Sequence, residues 1–587
     1  MSALTRWWQA RTAGGSFRDA VRQSELGILA LGALAGLASG LLAAGLGGAA
    51  RGVHWLIFGP DSQHGLSALR DADPLALLLA PAVGGLLLGL LGLGLARWRP
   101  RQPIDPIEAN ALHGGRMSIW DGIVVGAQNL LSNGFGASVG LEAAYTQLGG
   151  GVASKLGRAF GLRRGDLRVL VGCGAAGAIA AAFGAPLTGA FYAFELVIGS
   201  YAIAHLAPVM AAAVAGTLVA GVLGSGTPVL AAGLASPDWQ DTGVALLIGL
   251  LCALAGIALM RGVTLAEAGL RRAIPWSTFR PMAGGLMVGG LALVTPAVLS
   301  AGHGALHLAF VVEGAALPLL GLMLLKALAS AISIGSGFRG GLFFASLLLG
   351  ALLGKLAAAA VALAGITVDP LLAAIVGMSA FGTAVIGAPL AMSFIALETT
   401  QSFAVAGVVV LAVIASGTTV RRLFGYSFAT WRFHLRGEGI RSAHDIGWLR
   451  DLTVGKLMRR EVRTVRLDTK LASFRREFPL GSVTHVVALD AADRYAGLIL
   501  VPEAYAEGLD EAATVAQLVH LQDQVLLPAQ NAKQAMALFD ATDAEALAVV
   551  DQRDTSQLLG LVKASFLLRR YSEELDKRRQ DELGMVG

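Results

Sequence analysis

Seven apolar runs, each close to twenty residues long, restrict this chain to folds that cross a lipid bilayer. They lie at about residues 26–50, 75–96, 205–224, 242–260, 282–300, 318–334 and 405–420. An α-helix rises about 1.5 Å per residue, so roughly twenty apolar residues cross the ~30 Å hydrocarbon layer. The runs therefore predict an all-α polytopic membrane domain.

Charge is distributed unevenly along the 587 residues. Residues 437–587 carry 19 Lys/Arg and 23 Asp/Glu, whereas residues 1–436 carry 26 and 17. Because globular chains average about 25% charged residues, only the second part has a soluble composition. We predict a terminal segment at 1–24, a membrane domain at 25–436 and a linker at 437–451. This composition argues against a soluble enzyme and against a nucleic-acid binder.

The two cysteines give no sign of a disulfide or a metal site. Cys173 and Cys252 both lie in apolar stretches, without a CxxC motif or nearby histidines. Two small buried side chains are therefore the better interpretation, and we expect no metal and no cofactor.

Arginines flank the predicted spans on one side of the membrane. Four precede the first apolar run, and Arg421, Arg422, Arg432 and Arg436 follow the last one. Basic residues are retained in the cytoplasm, so we expect both termini there and the protein in the inner membrane.

Two blocks of sequence indicate an internal duplication. Residues 184–195 (GAPLTGAFYAFE) and 387–398 (GAPLAMSFIALE) are identical at seven of twelve positions. A glycine-rich turn precedes each block, GASVGLEA at 136–143 and GSGFRGGLFFA at 335–345. Short segments broken by glycine and proline at matching places in two halves are typical of transport sites.

The two glycine-rich turns also predict an anion site. The start of a helix presents unpaired N–H groups and a partial positive charge, and glycine lets an ion approach the backbone. The alternative is that these glycines only allow close helix packing.

Together these motifs resemble the CLC family of chloride channels and proton-coupled chloride exchangers. The resemblance covers residues 25–436 and implies inverted repeats at about 25–224 and 242–436. It further implies a homodimer in the lipid bilayer, with one pore per subunit for chloride or similar anions, and no enzymatic activity.

The resemblance assigns the gate to Glu142, which matches the glutamate of the family's GxxGxEGP element. A carboxylate at a helix start can occupy the anion's own site, next to the backbone of Gly140 and Leu141. The alternative is a glutamate that only caps the first turn. The arginine that precedes the gate in the family is Leu141 here, and the following Gly-Pro is Ala143-Ala144.

The other anion ligands implied by the resemblance are only partly retained. Phe343 matches the pore phenylalanine of GxFxP, so its backbone N–H and that of Phe344 are expected to face the anion. The family's serine falls at Pro103, or at Gln102 if the register slips by one, and its tyrosine falls at Ala429. None of these side chains can donate a hydroxyl hydrogen bond. The backbone around Pro103 and Ile104 is therefore expected to contribute more of the coordination.

Leu196 bears on the transport mechanism. In proton-coupled members a second glutamate follows the one matched by Glu195, and a leucine in its place cannot relay a proton. We therefore predict a passive channel, with a proton-coupled antiporter as the alternative because Glu142 is retained. Glu195 is expected to be structural, Arg339 to attract anions, and Ser138 to line the pore or to be structural.

Residues 136–140 also fit GxSxG, the nucleophile elbow of hydrolases. The elbow requires a preceding strand and partner histidine and acid residues. Here the preceding sequence is NLLSNGF, without such partners. A hydrolase with Ser138 as nucleophile is thus a minor alternative.

Short β-runs alternate with amphipathic helices after residue 452. Two βαββ units at 452–505 and 512–570 resemble a tandem pair of CBS domains, which often bind adenine nucleotides. The ribose-binding aspartate of such pairs falls at Glu503 and Phe566, so adenine nucleotide binding is in question and a bracing role is the alternative. Residues 571–587 read as a charged, solvated helix.

Overall fold

The computed structural model describes residues 21, 24–69, 72–99, 101–224, 236–311, 315–436, 452–552 and 554–582. The chain divides into two compact units, Met1–His444 and Asp445–Gly587. The predicted linker 437–451 and most of the predicted segment 1–24 lie outside the described residues.

The first unit contains seventeen α-helices within the described ranges. They are α1 (Glu25–Phe58), α2 (Pro74–Trp98), α3 (Pro106–Leu112), α4 (Ile119–Gly134), α5 (Glu142–Ala159), α6 (Arg164–Phe183), α7 (Pro186–Tyr192), α8 (Ile203–Val222), α9 (Trp239–Ala273), α10 (Arg280–Ala292), α11 (His303–Val311), α12 (Ala316–Ser336), α13 (Phe343–Ala362), α14 (Pro370–Ile386), α15 (Pro389–Thr400), α16 (Phe403–Leu423) and α17 (Phe428–Leu435).

The helices run through the same order twice. α1 to α8 form one series and α9 to α16 the other, each opening with a helix of 34 or 35 residues. The third member is short in both series, at seven and nine residues. The fifth member follows the glycine-rich turn in both, and the seventh begins at the proline of the GAPL motif. The predicted duplication is therefore confirmed at the level of the fold.

Eight helices of the described chain are long and apolar enough to cross a membrane. They include six of the seven predicted spans. The run at 282–300 is the exception, because α10 ends at Ala292 and Pro296, which has no N–H, begins a separate short turn. Conversely, α6 and α13 are helices of twenty residues that could span the membrane but lie outside the seven apolar runs.

Glycines bring the helices into close contact at matching places in the two repeats. Gly149 of α5 and Gly174 of α6 face each other, as do Gly350 of α13 and Gly377 of α14. In each pair, a Cβ on one residue would collide with the carbonyl oxygen of the other. Small residues at such crossings let backbones approach where lipid offers no hydrophobic driving force.

The second unit contains two small sheets of the same topology. β1 (Thr464–Arg466) pairs in parallel with β2 (His485–Leu489), which pairs antiparallel with β3 (Tyr495–Leu500), and β4 (Val519–His520) extends that sheet. β5 (Val525–Leu526), β6 (Ala546–Val550) and β7 (Leu558–Lys563) repeat the first three strands. The predicted pair of βαββ units is confirmed.

Four α-helices accompany these strands in the described part of the unit. They are α18 (Val454–Leu457), α19 (Leu471–Glu477) between β1 and β2, α20 (Ala532–Thr542) between β5 and β6, and α21 (Ala564–Glu582). The predicted charged segment 571–587 is described as far as residue 582, and this part belongs to α21.

In this unit, the segment that precedes each βαββ half packs against the core of the other half. Val454 and Leu457 of α18 belong to the core around α20, whereas Val515, just before β4, belongs to the core around α19. Glu503 accepts a hydrogen bond from His520, with 2.6 Å between carboxylate oxygen and ring nitrogen. Phe566 packs against the core around α20.

Candidate functional site

The two glycine-rich turns meet in a bridge between the repeats. Gly140 N–H donates to the carbonyl of Gly341 at 2.9 Å, and Gly341 N–H donates to the carbonyl of Gly140 at 3.2 Å. The bridge lies immediately before the first residues of α5 and α13. The starts of two helices, one from each repeat, are thereby held side by side.

Glu142, the first residue of α5, is buried with its carboxyl group beside this bridge. A Cβ on Gly140 would overlap both carboxyl oxygens, and one on Gly341 would lie 3.2 Å from Oε2. The carboxyl group faces the backbone N–H groups of Glu142 itself and of Phe344. Neither carboxyl oxygen has a hydrogen-bond partner among the described residues. The Glu142 carboxyl group therefore lies beside the starts of two helices and has no hydrogen-bonding side chain as a partner among the described residues.

A cavity of about 220 Å³ opens beside this carboxyl group. Six residues selected from the sequence line it: Pro103, Glu142, Leu196, Arg339, Phe343 and Ala429. Gly340 and Gly341 line it too, so backbone of the second glycine-rich turn is exposed to the cavity. The cavity has room for several small ions or waters, each of which needs about 30 Å³.

The remaining predicted residues lie outside the lining. Leu141 is buried as the residue before α5, and the carbonyl of Ile104 accepts from Gln147 Nε2 at 2.8 Å. Ser138 is buried. Its backbone N–H donates to the Ser333 hydroxyl, and its own hydroxyl lies 3.0 Å from the Ser330 hydroxyl. The recorded hydroxyl partner of Ser138 is another serine, not the histidine base that a hydrolase nucleophile needs.

Glu195 likewise lies away from the cavity. Its carboxylate accepts hydrogen bonds from the N–H groups of Leu390 and Ala391, both at 3.0 Å. It thus caps the start of α15.

Phe344 directs its backbone N–H toward the Glu142 carboxyl group and its side chain toward a second cavity. Its ring stacks on Phe183, with 4.6 Å between ring centroids and 6° between planes, and also contacts His303. The second cavity, of about 180 Å³, is lined mainly by apolar groups together with His303 and His307. The Phe344 side chain is therefore part of an aromatic wall behind the candidate anion site.

Sequence reasoning missed several polar and aromatic residues of the first cavity. They are Asp105, Asn129, Gln147, Tyr192, Phe428 and Arg432. With its amide oriented to satisfy its neighbours, Asn129 donates to the carbonyls of Arg339 and Gly140 and accepts from the N–H of Ala144. It therefore ties the turn of one repeat to that of the other. No local motif marks Asn129; only the meeting of the two repeats gives it this place.

No group of three or more His, Cys, Asp or Glu side chains in the described part of the chain is arranged to hold a metal ion. The candidate site consists instead of backbone N–H groups, one unpartnered carboxyl group and nearby guanidinium groups.

Comparisons with known proteins agree with this architecture. The family model described as "Voltage gated chloride channel" matches residues 84–421. The ClcB-like protein of Ralstonia nicotianae is 34% identical over 406 residues, covering 67% of this chain and 93% of its own length. The voltage-gated ClC-type chloride channel ClcB of Escherichia coli is 32% identical over 348 residues, covering 58% and 80%.

A solved structure shares the fold of the first unit. It is a slow cyanobacterial Cl⁻/H⁺ antiporter, with a TM-score of 0.60 and 21% identity over 70% of this chain and 97% of its own. The matched family model, the identity to curated relatives and the duplicated helix order lead to the same result. The chain is a multi-pass membrane protein that belongs to the voltage-gated chloride channel (CLC) family.

Proposed function

We propose that the chain is a chloride channel that conducts passively, with Glu142 as its gate. The placement of the Glu142 carboxyl group carries this proposal: it lies in the cavity, against Gly140 and Gly341, where an anion would meet the starts of α5 and α13. A carboxylate and a chloride ion would compete for that place. Protonation or outward movement of Glu142 then opens the path.

Leu196 supports conduction without proton coupling. It lines the same cavity as Glu142, and an apolar side chain there cannot pass a proton inward. The channel name of the Escherichia coli relative agrees with this proposal.

A proton-coupled antiporter is the second candidate. The observation that favours it is the buried Glu142 carboxyl group without a hydrogen-bond partner, which can take up and release a proton as the anion leaves and returns. The shared fold with a Cl⁻/H⁺ antiporter is compatible with it.

The working unit in this proposal is a homodimer in the inner membrane, with both termini in the cytoplasm. Two helices of the first compact unit, α8 and α16, leave large apolar side chains exposed. Among them are Leu206, Leu218, Leu411 and Ile414. Such faces suit lipid or a second copy of the chain. For the second unit we propose a bracing role rather than adenine nucleotide binding, because Glu503 is engaged with His520 and Phe566 is packed in a core.

Reconstitution into proteoliposomes tests the channel against the antiporter. A chloride gradient is imposed across the vesicle membrane while chloride efflux and external pH are recorded together. A channel gives chloride flux without uphill proton movement, whereas proton uptake in a fixed ratio to chloride establishes the antiporter. Vesicles without chloride flux in either mode contradict both.

Glu142→Gln tests the gate. The amide has the size of the protonated carboxyl group but cannot ionise, so chloride flux should persist and lose its dependence on pH. An unchanged pH profile would show that Glu142 is not the gate. Glu25→Gln, at the exposed first residue of α1, is the matched control.

A further inference from the structure

Three arginines line the cavity that contains Glu142. Arg339 lies two residues before Gly341 of the bridge. Arg432 lies on α17, and Arg436 is the residue that follows this helix. Arg339 is within electrostatic range of the other two. Three like charges therefore line one cavity.

The positions of these arginines are fixed by their surroundings. The backbone N–H of Arg339 donates to the Ser132 hydroxyl at 3.0 Å. The Arg432 guanidinium lies 5.9 Å from the ring centroid of Phe428, and that of Arg436 lies 5.3 Å from Phe433. Contacts of this kind orient a guanidinium plane while leaving its N–H groups available.

Two acids, Asp105 and Glu267, lie near the arginines without pairing with them, and a third, Glu108, pairs with Arg436. Asp105 caps α3 by accepting the N–H of Glu108 at 2.8 Å, and Glu267 pairs with Arg271 at 2.6 Å. Glu108 lies 3.8 Å from Arg436. Neither Arg339 nor Arg432 forms a salt bridge with any residue that the structure describes, and none of the three arginines pairs with Glu142.

We propose that Arg339, Arg432 and Arg436 form a second anion site, which binds a free tetrahedral oxyanion of the sulfate or phosphate type. A guanidinium offers two parallel N–H donors that match two oxygens of one oxyanion, whereas a chloride ion is a single acceptor. The proposal rests on the proposed function in one respect: an oxyanion held in this cavity obstructs chloride that passes Glu142.

Binding is measured without transport, so the result does not depend on whether the chain conducts chloride. The full-length protein in nanodiscs of phosphatidylcholine is titrated with sodium sulfate by calorimetry, at constant ionic strength set with gluconate. We expect saturable binding of sulfate, weakened at least tenfold in Arg339→Gln and in Arg432→Gln. Arg422→Gln, an exposed arginine at the end of α16, is the control and should bind as the unmodified protein does.

Arg432→Lys separates oxyanion geometry from charge. Lysine keeps the charge but loses the paired donors, so sulfate affinity should fall at least fivefold. Full affinity in Arg432→Lys, or unchanged affinity in both glutamine variants, overturns the proposal. A normal elution volume and melting temperature show that each variant is folded, and the lysine variant remains informative if a glutamine variant is not.

A lipid headgroup is the other source of the same chemistry. Nanodiscs containing phosphatidic acid, without free sulfate or phosphate, serve as the second arm. Thermal stabilisation by free sulfate in neutral nanodiscs supports the proposal. Stabilisation by phosphatidic acid alone overturns it.

Transport then links the site to the pore. Sulfate should inhibit chloride flux in proteoliposomes, and Arg432→Gln should raise the half-inhibiting concentration about tenfold. Chloride flux that sulfate does not inhibit, despite calorimetric binding, contradicts the link to the pore. Absence of chloride flux with sulfate binding retained contradicts the proposed function and leaves the binding site established.

Discussion

Glu195 and Glu398 each cap a helix of the opposite repeat. The Glu398 carboxylate accepts two backbone N–H groups at the start of α7, at 2.7 and 2.9 Å, and the Thr188 hydroxyl at 2.6 Å. The Glu195 carboxylate accepts two backbone N–H groups at the start of α15. The duplicated GAPL blocks therefore supply both the helix starts and the groups that satisfy them.

Removal of these caps should destabilise the membrane unit unequally. Glu398→Ala leaves two part-buried backbone N–H groups and the Thr188 hydroxyl without an acceptor, at about 1–3 kcal/mol for each group that water cannot reach. Glu195→Ala also leaves three donors, but the N–H of Leu390 and the side chain of Tyr201 are exposed and can turn to water. We expect a larger fall in melting temperature for Glu398→Ala, measured by intrinsic fluorescence in detergent. Glu267→Ala, which breaks only an exposed pair with Arg271, should change little. Equal effects in all three variants would contradict interhelix capping.

Gly140→Ala should displace the gate. Its Cβ would occupy the space of the Glu142 carboxyl group, and the residue has no unusual backbone angle that would forbid alanine. We expect chloride flux with a weakened pH dependence, as in Glu142→Gln. Gly341→Ala should have a smaller effect. Its Cβ would lie 3.2 Å from Oε2 of Glu142 and would not overlap the carboxyl group.

Gly407→Ala is the control for both substitutions. This glycine of α16 has no neighbouring atom within 4 Å of the position that an added methyl group would take, so the flux and its pH profile should not change. A pH profile of Gly140→Ala that matches the control would contradict the placement of the carboxyl group beside Gly140.

Gly377→Ala should loosen the packing of α13 on α14. Its Cβ would collide with the carbonyl oxygen of Gly350, and relief of such an overlap costs about 1–3 kcal/mol. Gly174→Ala should have a similar cost, because it occupies the matching crossing of α5 and α6. Melting temperatures of both variants are compared with Gly407→Ala. A Gly377→Ala protein as stable as that control would show that this crossing is not tight.

The second unit should lose stability in acid through two equivalent turns. The N–H of Arg494 lowers the pKa of Asp490 below its ordinary value, and the hydroxyl of Thr555 does the same for the pKa of Asp551. Carboxylates with lowered pKa stabilise the fold above the ordinary value near 3.8, and this stabilisation is lost as pH falls through the folded-state pKa.

Hydrogen exchange of the β2–β3 and β6–β7 amides in the full-length protein measures this effect. Protection should begin to fall as the pH drops below about 4, near the ordinary carboxyl pKa, and should continue to fall through the lowered folded-state pKa. Asp490→Asn and Asp551→Asn should each flatten that fall in their own sheet, whereas Asp523→Asn, an exposed control, should not. Equal acid sensitivity in all variants would contradict the role of the turns.

The sequence predicted those features that repeat or that depend on local composition. Six of the seven spans, the duplication and the two βαββ units follow from apolar length, block identity and alternation, and the fold confirms them. The prediction that residues 282–300 form one spanning helix was wrong. Apolar composition does not reveal that Pro296 prevents α10 from continuing beyond this point.

The site residues that sequence reasoning missed are long-range ones. Asn129 bridges Arg339 and Gly140, and Arg432 reaches the cavity from α17, far along the chain from Glu142. Nothing in the sequence near either residue differs from ordinary helical sequence. Their roles arise only when turns and helices from distant segments are brought to one cavity.

The bridge between Gly140 and Gly341 has a consequence for how such a protein can diversify. Both of its hydrogen bonds join main-chain atoms, so an exchange of side chains elsewhere in the lining leaves them intact. Residues such as Pro103 and Ala429 can therefore drift, and with them the preferred ion, while the frame that holds the two halves in register is inherited unchanged.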